Sequence, residues 1–438
     1  MIGFILLLAL LYGIILLPWT QSKITSYVSS VISKEIGLTV TIERITPSLW
    51  KTASFHTICI TNTANDTILT AALGRATIHG ISLDSARVQF KKIAVHNASI
   101  SIIKDTSGHW NIDNFITEVV ESKSPKSWRI AIQEIELSGS QLRVADLQAK
   151  QSQQQNTSGI DMNDIRIRNL RLNASNFSKY KRNFTANITN LSCTEQSGFT
   201  IQYFQTDARI SDTLIDCKNI MLFTPHTKFF SQSTQFAYTS FEDFSDFVSK
   251  VSISSNIEYS QIAFKDIAYF NDNAYQIPYT ISISGSVKGR VSNLKGKNIH
   301  IGFNRSSRFI GNIEISGLPD ISQTYMHITA KLLETNKHDI ETLRIPPFSE
   351  EQYVQIPAFI ENIETYKYTG NFTGFLHDFV AYGTLTTNIG TLYSDILISQ
   401  SADNESLYNY SGSLTFQDFE LDKFPVQKNT WGNMNASL

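Results

Sequence analysis

Apolar and polar residues alternate along most of this chain, and that period of two limits the fold more than any other feature. Leu38, Val40 and Ile42 alternate with threonines, and the pattern returns near residues 88, 281, 313 and 396. Successive side chains of a β-strand point to opposite faces, so each alternating segment predicts a strand with one apolar face. Turn residues separate these segments about every ten residues. The sequence therefore predicts an all-β protein.

The alternation continues for too long to fit one β-sandwich. A sandwich closes after about 100 to 200 residues, whereas this chain has 438 residues and keeps the pattern to its end. Roughly two dozen strands spaced about 4.8 Å apart would form a ribbon of order 100 Å. The apolar face of such an elongated sheet, antiparallel or mixed, must be covered by its own curl, by a partner or by a ligand as long as itself. Since no closing element precedes Leu438, we also expect a longer natural chain.

The alternation shifts by one residue inside one of the clearest strands. Ile93 and Val95 alternate in one phase, and Ala98 and Ile100 alternate in the other. The shift falls at His96-Asn97, which we interpret as a break in the strand pattern.

Charge and motif content argue against several function classes. The chain has 37 Lys and Arg against 39 Asp and Glu, a net charge of −2, with the basic residues scattered singly. Nucleic-acid binding needs a basic face, and none is visible. No nucleophile elbow, P-loop or zinc-protease histidine motif occurs. We therefore expect a protein without enzymatic activity, cofactor, metal or nucleic-acid partner.

The three cysteines, Cys59, Cys193 and Cys217, stand far apart and form no CxxC pair. A structural zinc site is therefore not expected. In an oxidising compartment Cys193 and Cys217 could form a disulfide that leaves Cys59 free. The sequence does not decide between this pairing and three free thiols.

Residues 2–19, IGFILLLALLYGIILLPW, carry no charge. As a helix they would be roughly 27 Å long, enough to cross a hydrocarbon core. A secretory signal peptide would show a basic start and a small-x-small cleavage site, and neither is present. We expect residues 1–20 to be a retained membrane anchor.

Residues 21–37 have helical rather than alternating spacing. Six apolar residues fall on one side of the predicted helix: Ile24, Tyr27, Val28, Val31, Ile32 and Ile36. Gly37 follows where a glycine commonly ends a helix. We expect an amphipathic helix that packs its apolar stripe on the first strands, with contact to a membrane surface as the alternative.

The segment KDTSGHWNID, residues 104–113, gathers a histidine, two aspartates and a tryptophan around a glycine. Asp105 suits an Asx turn, and Gly108 suits a positive φ angle. The two aspartates and the histidine could ligate a metal, but no rigid element would make them converge. We expect a structural bend with Trp110 buried.

Two further segments interrupt the strand pattern. Residues 148–158, QAKQSQQQNTS, predict a polar loop between a first β region at 38–147 and a second at 159–438. FEDFSDFVSKV predicts a helix with one apolar face, formed by Phe241, Phe244, Phe247, Val248 and Val251.

The order of these segments carries a resemblance. An apolar anchor, an amphipathic helix, the strand GLTVTIERI and a bend of the form Asp-x-x-Gly-x-Trp-Asn leading to Phe115 follow one another. This layout resembles the N-terminal portion of the TamB family, the inner-membrane subunits of translocation and assembly modules, within the AsmA-like superfamily. The sequence departs from the family in lacking a basic flank before the anchor and the family's C-terminal domain.

Later stretches resemble the version of this family found in Bacteroidetes-type bacteria. They are residues 241–251, FKDIAYF at 264–270, GNIEISGLPDI at 311–321, and residues 368–396, which contain Gly370, Gly374, Gly383, Gly390 and Asp378-Phe379. The resemblance is therefore spread over nearly the whole chain.

The resemblance implies a fold and a function. Family members resemble bridge-like lipid transfer proteins, in which a long sheet curls into a β-taco, an open β-groove that crosses the periplasm. It implies a single-pass inner-membrane protein of a Gram-negative bacterium whose far end engages an outer-membrane barrel of the TamA type. The implied activity is phospholipid transport toward the outer membrane, or help in assembling outer-membrane and autotransporter proteins.

An apolar trough suits lipid transport on physical grounds. Drawing a sixteen-carbon acyl chain through water costs about 0.8 kcal/mol per CH₂, about 13 kcal/mol in all. Strand parity assigns eight residues to the lipid-facing side: Val88, Phe90, Ile281, Ile283, Ile313, Ile315, Ile396 and Ile398. A register error of one residue would turn any of them to solvent. The alternatives are an assembly scaffold that binds client strands at open sheet edges, and a filled structural stalk.

Overall fold

The computed structural model describes residues 18–48, 51–82, 87–117, 129–150, 159–270, 277–321, 323–344, 353–356, 361–400, 408–420 and 433–437. These residues form an all-β protein of twenty strands with a few short helices, so the all-β part of the predicted fold class is confirmed. The chain divides into two compact units. The first unit comprises Met1–Asp212 and Leu222–Pro225, and the second comprises Thr213–Met221 and His226–Leu438.

The first unit begins with its longest described helix and continues with long strands. Its elements are α1 (Pro18–Ile36), β1 (Thr39–Pro47), β2 (Thr52–Thr61), β3 (Thr67–Ser82), β4 (Arg87–Lys104), α2 (Asp113–Phe115), β5 (Arg129–Asp146), α3 (Leu147–Lys150), β6 (Asp164–Tyr180), β7 (Asn183–Glu195) and β8 (Thr200–Ile210).

One pairing in the first unit differs from the others. Strands β1 to β4 and β5 to β8 pair with their neighbours in the antiparallel sense. Strands β4 and β5 are parallel, with Arg87 opposite Arg129 and Lys104 opposite Asp146. Parallel neighbours require a crossover connection rather than a hairpin. The sheet of this unit is therefore mixed.

The second unit is built almost entirely of short strands. Its elements are β9 (Leu214–Phe223), β10 (Lys228–Ala237), a 3₁₀ helix (Phe241–Asp246), α4 (Phe247–Lys250), β11 (Ser252–Ala263), α5 (Phe264–Ile267), β12 (Thr280–Arg290), β13 (Asn293–Phe303), β14 (Ser307–Ser316), β15 (Tyr325–Asn336), α6 (Lys337–Glu341), β16 (Thr365–Phe375), β17 (Asp378–Thr387), β18 (Gly390–Gln400), β19 (Tyr408–Glu420) and β20 (Asn433–Ser437).

From β10 to β20, each strand pairs antiparallel with the next strand along the chain. Such a meander needs only short connections, which the turn residues of the sequence supply. Strands β10 to β20 therefore form an antiparallel meander.

Helix α1 packs on the first strands, as predicted, but not with the whole predicted stripe. The contact joins three helix residues, Val28, Ile32 and Ile36, to three buried strand residues, Val40, Ile42 and Ile45. Tyr27 and Val31 are 72% and 43% exposed, so their assignment to the packed face is wrong. The buried positions beside the contact are instead Thr25 and Ser29, because small side chains let the helix approach the sheet closely. Gly37 ends the helix with φ +67°.

Parts of two predicted segments lie outside the described residues. Residues 1–17 of the predicted anchor and residues 151–158 of the predicted polar loop belong to this group. Residues 148–150 of that loop are helical and belong to α3. Among the described residues, no helix is both long enough and apolar enough to cross a membrane.

The bend after β4 is structural, as predicted. One carboxylate oxygen of Asp105 accepts hydrogen bonds from the backbone N–H groups of Ser107, at 2.8 Å, and His109, at 2.9 Å. Gly108 has φ +89°, in the region that favours glycine. Trp110 is half-buried rather than fully buried. Within the described ranges, no three His, Cys, Asp or Glu side chains lie close enough to hold a metal ion.

The predicted break at His96-Asn97 corresponds to a change in backbone conformation. Asn97 has φ +54° and its parallel partner position, Gly139, has φ +60°. Asparagine and glycine tolerate this left-handed region better than other residues. A residue in this conformation interrupts the alternation, so apolar residues before and after it can share a face.

The segment FEDFSDFVSKV is helical, as predicted, and begins with 3₁₀ rather than α geometry. The ring of Tyr238 lies 5.0 Å from the rings of both Phe241 and Phe244, measured between centroids. Val251 is fully buried, whereas Phe241 is mostly exposed. Ser240 and Asp243 form a reciprocal capping box at the start of this segment.

Candidate functional site

Strand register in the second unit aligns apolar side chains into rows that cross the sheet. Residues opposite each other in an antiparallel pair lie on the same face. One row is Ile283, Ile301, Phe309, Leu333, Tyr368, Leu385, Leu392 and Phe416; a second is Ile313, Ile328, Phe372, Ala381 and Ile396; a third is Leu294, Ile315, Met326, Gly374, Phe379, Ile398 and Tyr410. We call the surface formed by these rows, from β12 to β19, the apolar face.

Six of the eight residues assigned by parity lie on the apolar face. They are Ile281, Ile283, Ile313, Ile315, Ile396 and Ile398, and all are half-buried. Ile281 pairs with Phe303 and extends the face toward the start of β12. Register therefore brings together residues that are more than a hundred positions apart in the sequence.

The other two predicted residues, Val88 and Phe90, occupy a similar arrangement in the first unit. Their parallel partners on β5 are Ile130 and Ile132, and their antiparallel partners on β3 are also isoleucines. Both predicted residues are half-buried. These rows belong to the first unit and are described separately from the apolar face.

The opposite side of β13 to β16 is charged. Lys295 Nζ lies 2.8 Å from a carboxylate oxygen of Glu314, and Arg308 lies 2.6 Å from Glu334. The hydrogen bond from Lys295 holds the pKa of the Glu314 carboxyl below its usual value. Exposed pairs of this kind add little stability, but they favour one orientation of the sheet, with this face in water.

A row of small residues divides the apolar face. Gly311, Ala330, Gly370, Gly383 and Ser394 stand opposite one another across five strands. Their neighbours on the same face fill the space above them. A Cβ atom added at Gly311 would lie 2.8 Å from the Phe309 ring, which is closer than real contacts allow.

Tyr368 covers two of these glycines. A Cβ atom at Gly383 would lie 2.9 Å from the Tyr368 ring, and one at Gly370 would lie 2.7 Å from its hydroxyl. That hydroxyl lies within hydrogen-bond distance of the backbone carbonyls of Asn371, at 3.1 Å, and Tyr382, at 3.0 Å. Burial raises the pKa of Tyr368. The phenol thus stays neutral and acts as a packed, hydrogen-bonded cover on the sheet.

One end of the apolar face is closed by a small core. Ile363, Ile389 and Phe419 are buried against one another, with Tyr366 and Phe416 packed around them. Ile389 lies in the turn between β17 and β18, so this core forms where these strands meet their connections. In the described part of the chain, the rows farther along the strands have no equivalent core of buried residues.

The side chains of the three apolar rows are half-buried or exposed, with only Gly374 fully buried. Extensive backbone contacts join each described strand of this unit to the strands before and after it in the chain. Monomeric proteins rarely leave a contiguous apolar surface of this kind uncovered unless it binds something. The apolar face is therefore the candidate functional site.

Elsewhere in the described ranges, no group of side chains forms a catalytic arrangement. None of the three cysteines takes part in a disulfide, so the possible bond between Cys193 and Cys217 is not formed. Cys193 is buried, and burial raises the pKa of its thiol. A thiol with a raised pKa is a poor nucleophile.

The prediction from strand parity did not include many residues of the apolar face. Phe309, Phe372 and Phe379 lie in the same rows as the predicted isoleucines. The phenylalanine in β14 stands four residues before Ile313, in the same parity, so the alternation itself could have identified it. In β16 and β17 the small-residue row interrupts the apolar pattern, and the sequence alone gives no clear phase there.

Comparison with known proteins gives no match: no family model, no curated protein and no solved structure is similar to this chain. The uncovered apolar face and the paired charges behind it are therefore the basis on which a function can be proposed.

Proposed function

We propose that this chain carries phospholipid acyl chains along its apolar face. It would act as an inner-membrane-anchored bridge in the periplasm of a Gram-negative bacterium, with its sheet curled into a trough directed toward the outer membrane. The observation that supports the proposal is the set of apolar rows that continues in register from β12 to β19 with side chains that are half-buried or exposed rather than enclosed in a core.

The chemistry of the two faces supports this activity. An acyl chain lying on aliphatic and aromatic side chains avoids a cost of about 0.8 kcal/mol for each CH₂ exposed to water. The charged headgroup would remain in water at the open side. Transport of this kind needs a continuous apolar surface and no catalytic group. The ion pairs Lys295–Glu314 and Arg308–Glu334 suit the side of the sheet that stays in water.

A second candidate function is an assembly scaffold for outer-membrane or autotransporter proteins that works with a barrel of the TamA type. The observation that favours it is the position of β1, for which the described residues show a strand partner on one side, β2. An edge strand presents unpaired backbone groups that a client strand can extend. The two functions require different surfaces, a face for lipid and an edge for a client.

Site-specific photocrosslinking separates these functions. A benzophenone amino acid at Ile396 or Ile398, on the apolar face, is compared with one at Leu397, which lies between them and is 41% exposed on the opposite face. The three positions lie on one strand and carry aliphatic side chains of the same size, so Leu397 is a matched control. In cells labelled with radioactive phosphate we expect phospholipid adducts at Ile396 and Ile398 only. Ile283 and Ile315, with Ser282 and Ser316 as controls, repeat the test on other strands.

Two results would count against lipid transport. Equal lipid labelling at Leu397 and Ile398 would mean that the sheet is simply close to a membrane. Protein adducts at positions of both parities, without lipid, would favour the assembly scaffold.

A further inference from the structure

The described strands pack against one side of α1 and leave a second group of its apolar residues exposed. The packed side contains Val28 and Ile36. Away from it, Trp19 is 60% exposed, Tyr27 72% and Val31 43%. Single exposed apolar side chains are common on protein surfaces, so these residues matter only if they form one continuous surface.

The exposed apolar residues do lie on one side of the helix, together with two lysines. An α-helix turns about 100° per residue, so five exposed residues share an arc of about 120°. They are Trp19, Lys23, Tyr27, Val31 and Lys34. The residues that are packed or buried against the strands share an arc of about 100° on the opposite side. We call the five exposed residues the outer ridge of α1.

The outer ridge is basic as well as apolar. The ammonium group of Lys23 lies over the Trp19 ring, 5.6 Å from its centroid. Within the described residues, neither Lys23 nor Lys34 forms an ion pair. Glu35, the acidic residue of α1, lies outside the arc of the ridge. Aromatic side chains combined with lysines are typical of helices that lie in the interface between water and anionic lipid.

The outer ridge begins where the uncharged N-terminal segment ends. Trp19 is the last residue of the apolar segment 2–19 that predicts a membrane anchor. Pro18 is the first residue of α1, and a proline disfavours helical conformation of the residue before it. The anchor and α1 therefore need not share one axis, and α1 can follow the membrane surface.

One orientation brings the whole outer ridge to lipid. If α1 pointed away from the membrane, Tyr27 and Val31 would lie about 12 Å and 18 Å beyond Trp19, at 1.5 Å per residue. If α1 lies along the surface, all three apolar side chains reach the boundary between headgroups and acyl chains, and the lysines reach anionic headgroups. The first strands then stay on the water side, because they pack on the opposite arc of the helix.

We infer that the outer ridge of α1 binds the surface of an anionic lipid membrane. Trp19, Tyr27 and Val31 insert at the level of the headgroups, and Lys23 and Lys34 contact anionic lipid. The inference rests on the membrane anchor of the proposed function. It adds a second membrane contact, which gives the first strands a fixed orientation on the lipid surface.

Photocrosslinking of the full chain reconstituted in vesicles tests the inference. A benzophenone amino acid at Tyr27 or Val31 is compared with one at Ser22, which is exposed on α1 outside the outer ridge and stands closer to the anchor than either. The vesicles contain phosphatidylcholine alone or phosphatidylcholine with phosphatidylglycerol. We expect lipid adducts at Tyr27 and Val31 but not at Ser22, and a much higher yield in the vesicles that contain phosphatidylglycerol.

Substitution of the lysines tests the contribution of charge. Each lysine close to an anionic surface strengthens binding about fivefold, so Lys23→Gln combined with Lys34→Gln should lower the adduct yield at Tyr27 about tenfold or more. Lys91→Gln, which removes an exposed lysine of β4, is the matched control and should leave the yield unchanged. Circular dichroism should show that all variants keep their strand content.

Three results would overturn the inference: equal lipid labelling at Ser22 and Tyr27, a yield at Tyr27 that does not depend on phosphatidylglycerol, or adducts at Tyr27 with a second copy of the chain instead of lipid. A benzophenone at Leu8 reads the predicted anchor separately. Lipid adducts at Leu8 without adducts at Tyr27 would remove the surface contact and keep the anchor, whereas no adducts at Leu8 would remove the anchor from the proposed function.

Discussion

The start of the first unit and the middle of the second have the same alternating sequence pattern, yet their apolar side chains have different surroundings. On β1, Val40, Ile42 and Ile45 are buried because α1 packs on them. On β14 and β18, Ile313 and Ile396 are equally apolar but only half-buried. Alternation predicts that one face of a strand is apolar, and only a partner element determines whether that face becomes a core.

The largest expected effect is in the covered region. Ile45→Ala should lower the free energy of unfolding by about 2 to 4 kcal/mol, because it opens a cavity in a packed contact. The measurement is urea unfolding followed by hydrogen exchange of the β1 amides. A loss below about 1 kcal/mol would mean that α1 adds little to the first strands, and the contrast between the two regions would disappear.

A smaller effect is expected where the apolar face is filled by its own side chains. Gly383→Ala places a methyl group against the backbone carbonyl of Thr369 and the Cα atom of Gly370, with the Tyr368 ring next, so we expect a loss of about 1 to 3 kcal/mol through overpacking. Adding Tyr368→Leu should recover little of that loss, since the two backbone contacts remain. An unchanged melting temperature for Gly383→Ala would contradict the close packing of this row.

Ile313→Ala tests the difference between the two regions directly. It is the same substitution as Ile45→Ala, made at a half-buried position instead of a buried one. We expect a stability loss below about 1.5 kcal/mol, since much of the side chain is solvated before the change. Phospholipid adducts from a benzophenone at Ile398, by contrast, should fall clearly. Exposed Leu397→Ala is the control and should change neither quantity. Equal stability losses for Ile313 and Ile45 would mean that the apolar face is a closed core.

The smallest effect concerns the charged face. The pKa of Glu314 is lowered chiefly by the hydrogen bond from Lys295. A carboxyl whose folded pKa is depressed stabilises the protein above its ordinary pKa, and the contribution is lost as pH falls through the lower, folded value. Glu314→Gln should therefore destabilise the protein slightly at pH 7 and not at all in strong acid. Thermal melts at both pH values provide the check, and an effect that grows in acid would contradict the sign.

Local features were predictable from the sequence, and features that depend on tertiary contacts were not. The bend at Asp105 and Gly108 follows from turn chemistry within a few residues, and the parity of Ile313 and Ile315 follows from alternation within one strand. The sequence could not show that β4 and β5 are parallel, because their register depends on pairs forty-two positions apart, such as Arg87 and Arg129.

The side of α1 that faces the sheet could not be predicted from the helix sequence either. Hydrophobicity alone placed Tyr27 and Val31 on the buried side, whereas close approach to β1 selects the small residues Thr25 and Ser29. Steric fit against a particular neighbour decided the outcome, and no property of the helix sequence taken alone contains that information.

The meander of the second unit has a consequence for the size of the protein. Because each strand from β10 to β20 pairs only with its neighbours along the chain, stability is expected to add up from nearest-neighbour terms, as in repeat proteins. A hairpin inserted or removed between two such strands would leave the other pairings intact. The length of such a sheet can then change in steps of two strands, about 10 Å each, while the pairing of the remaining strands stays the same.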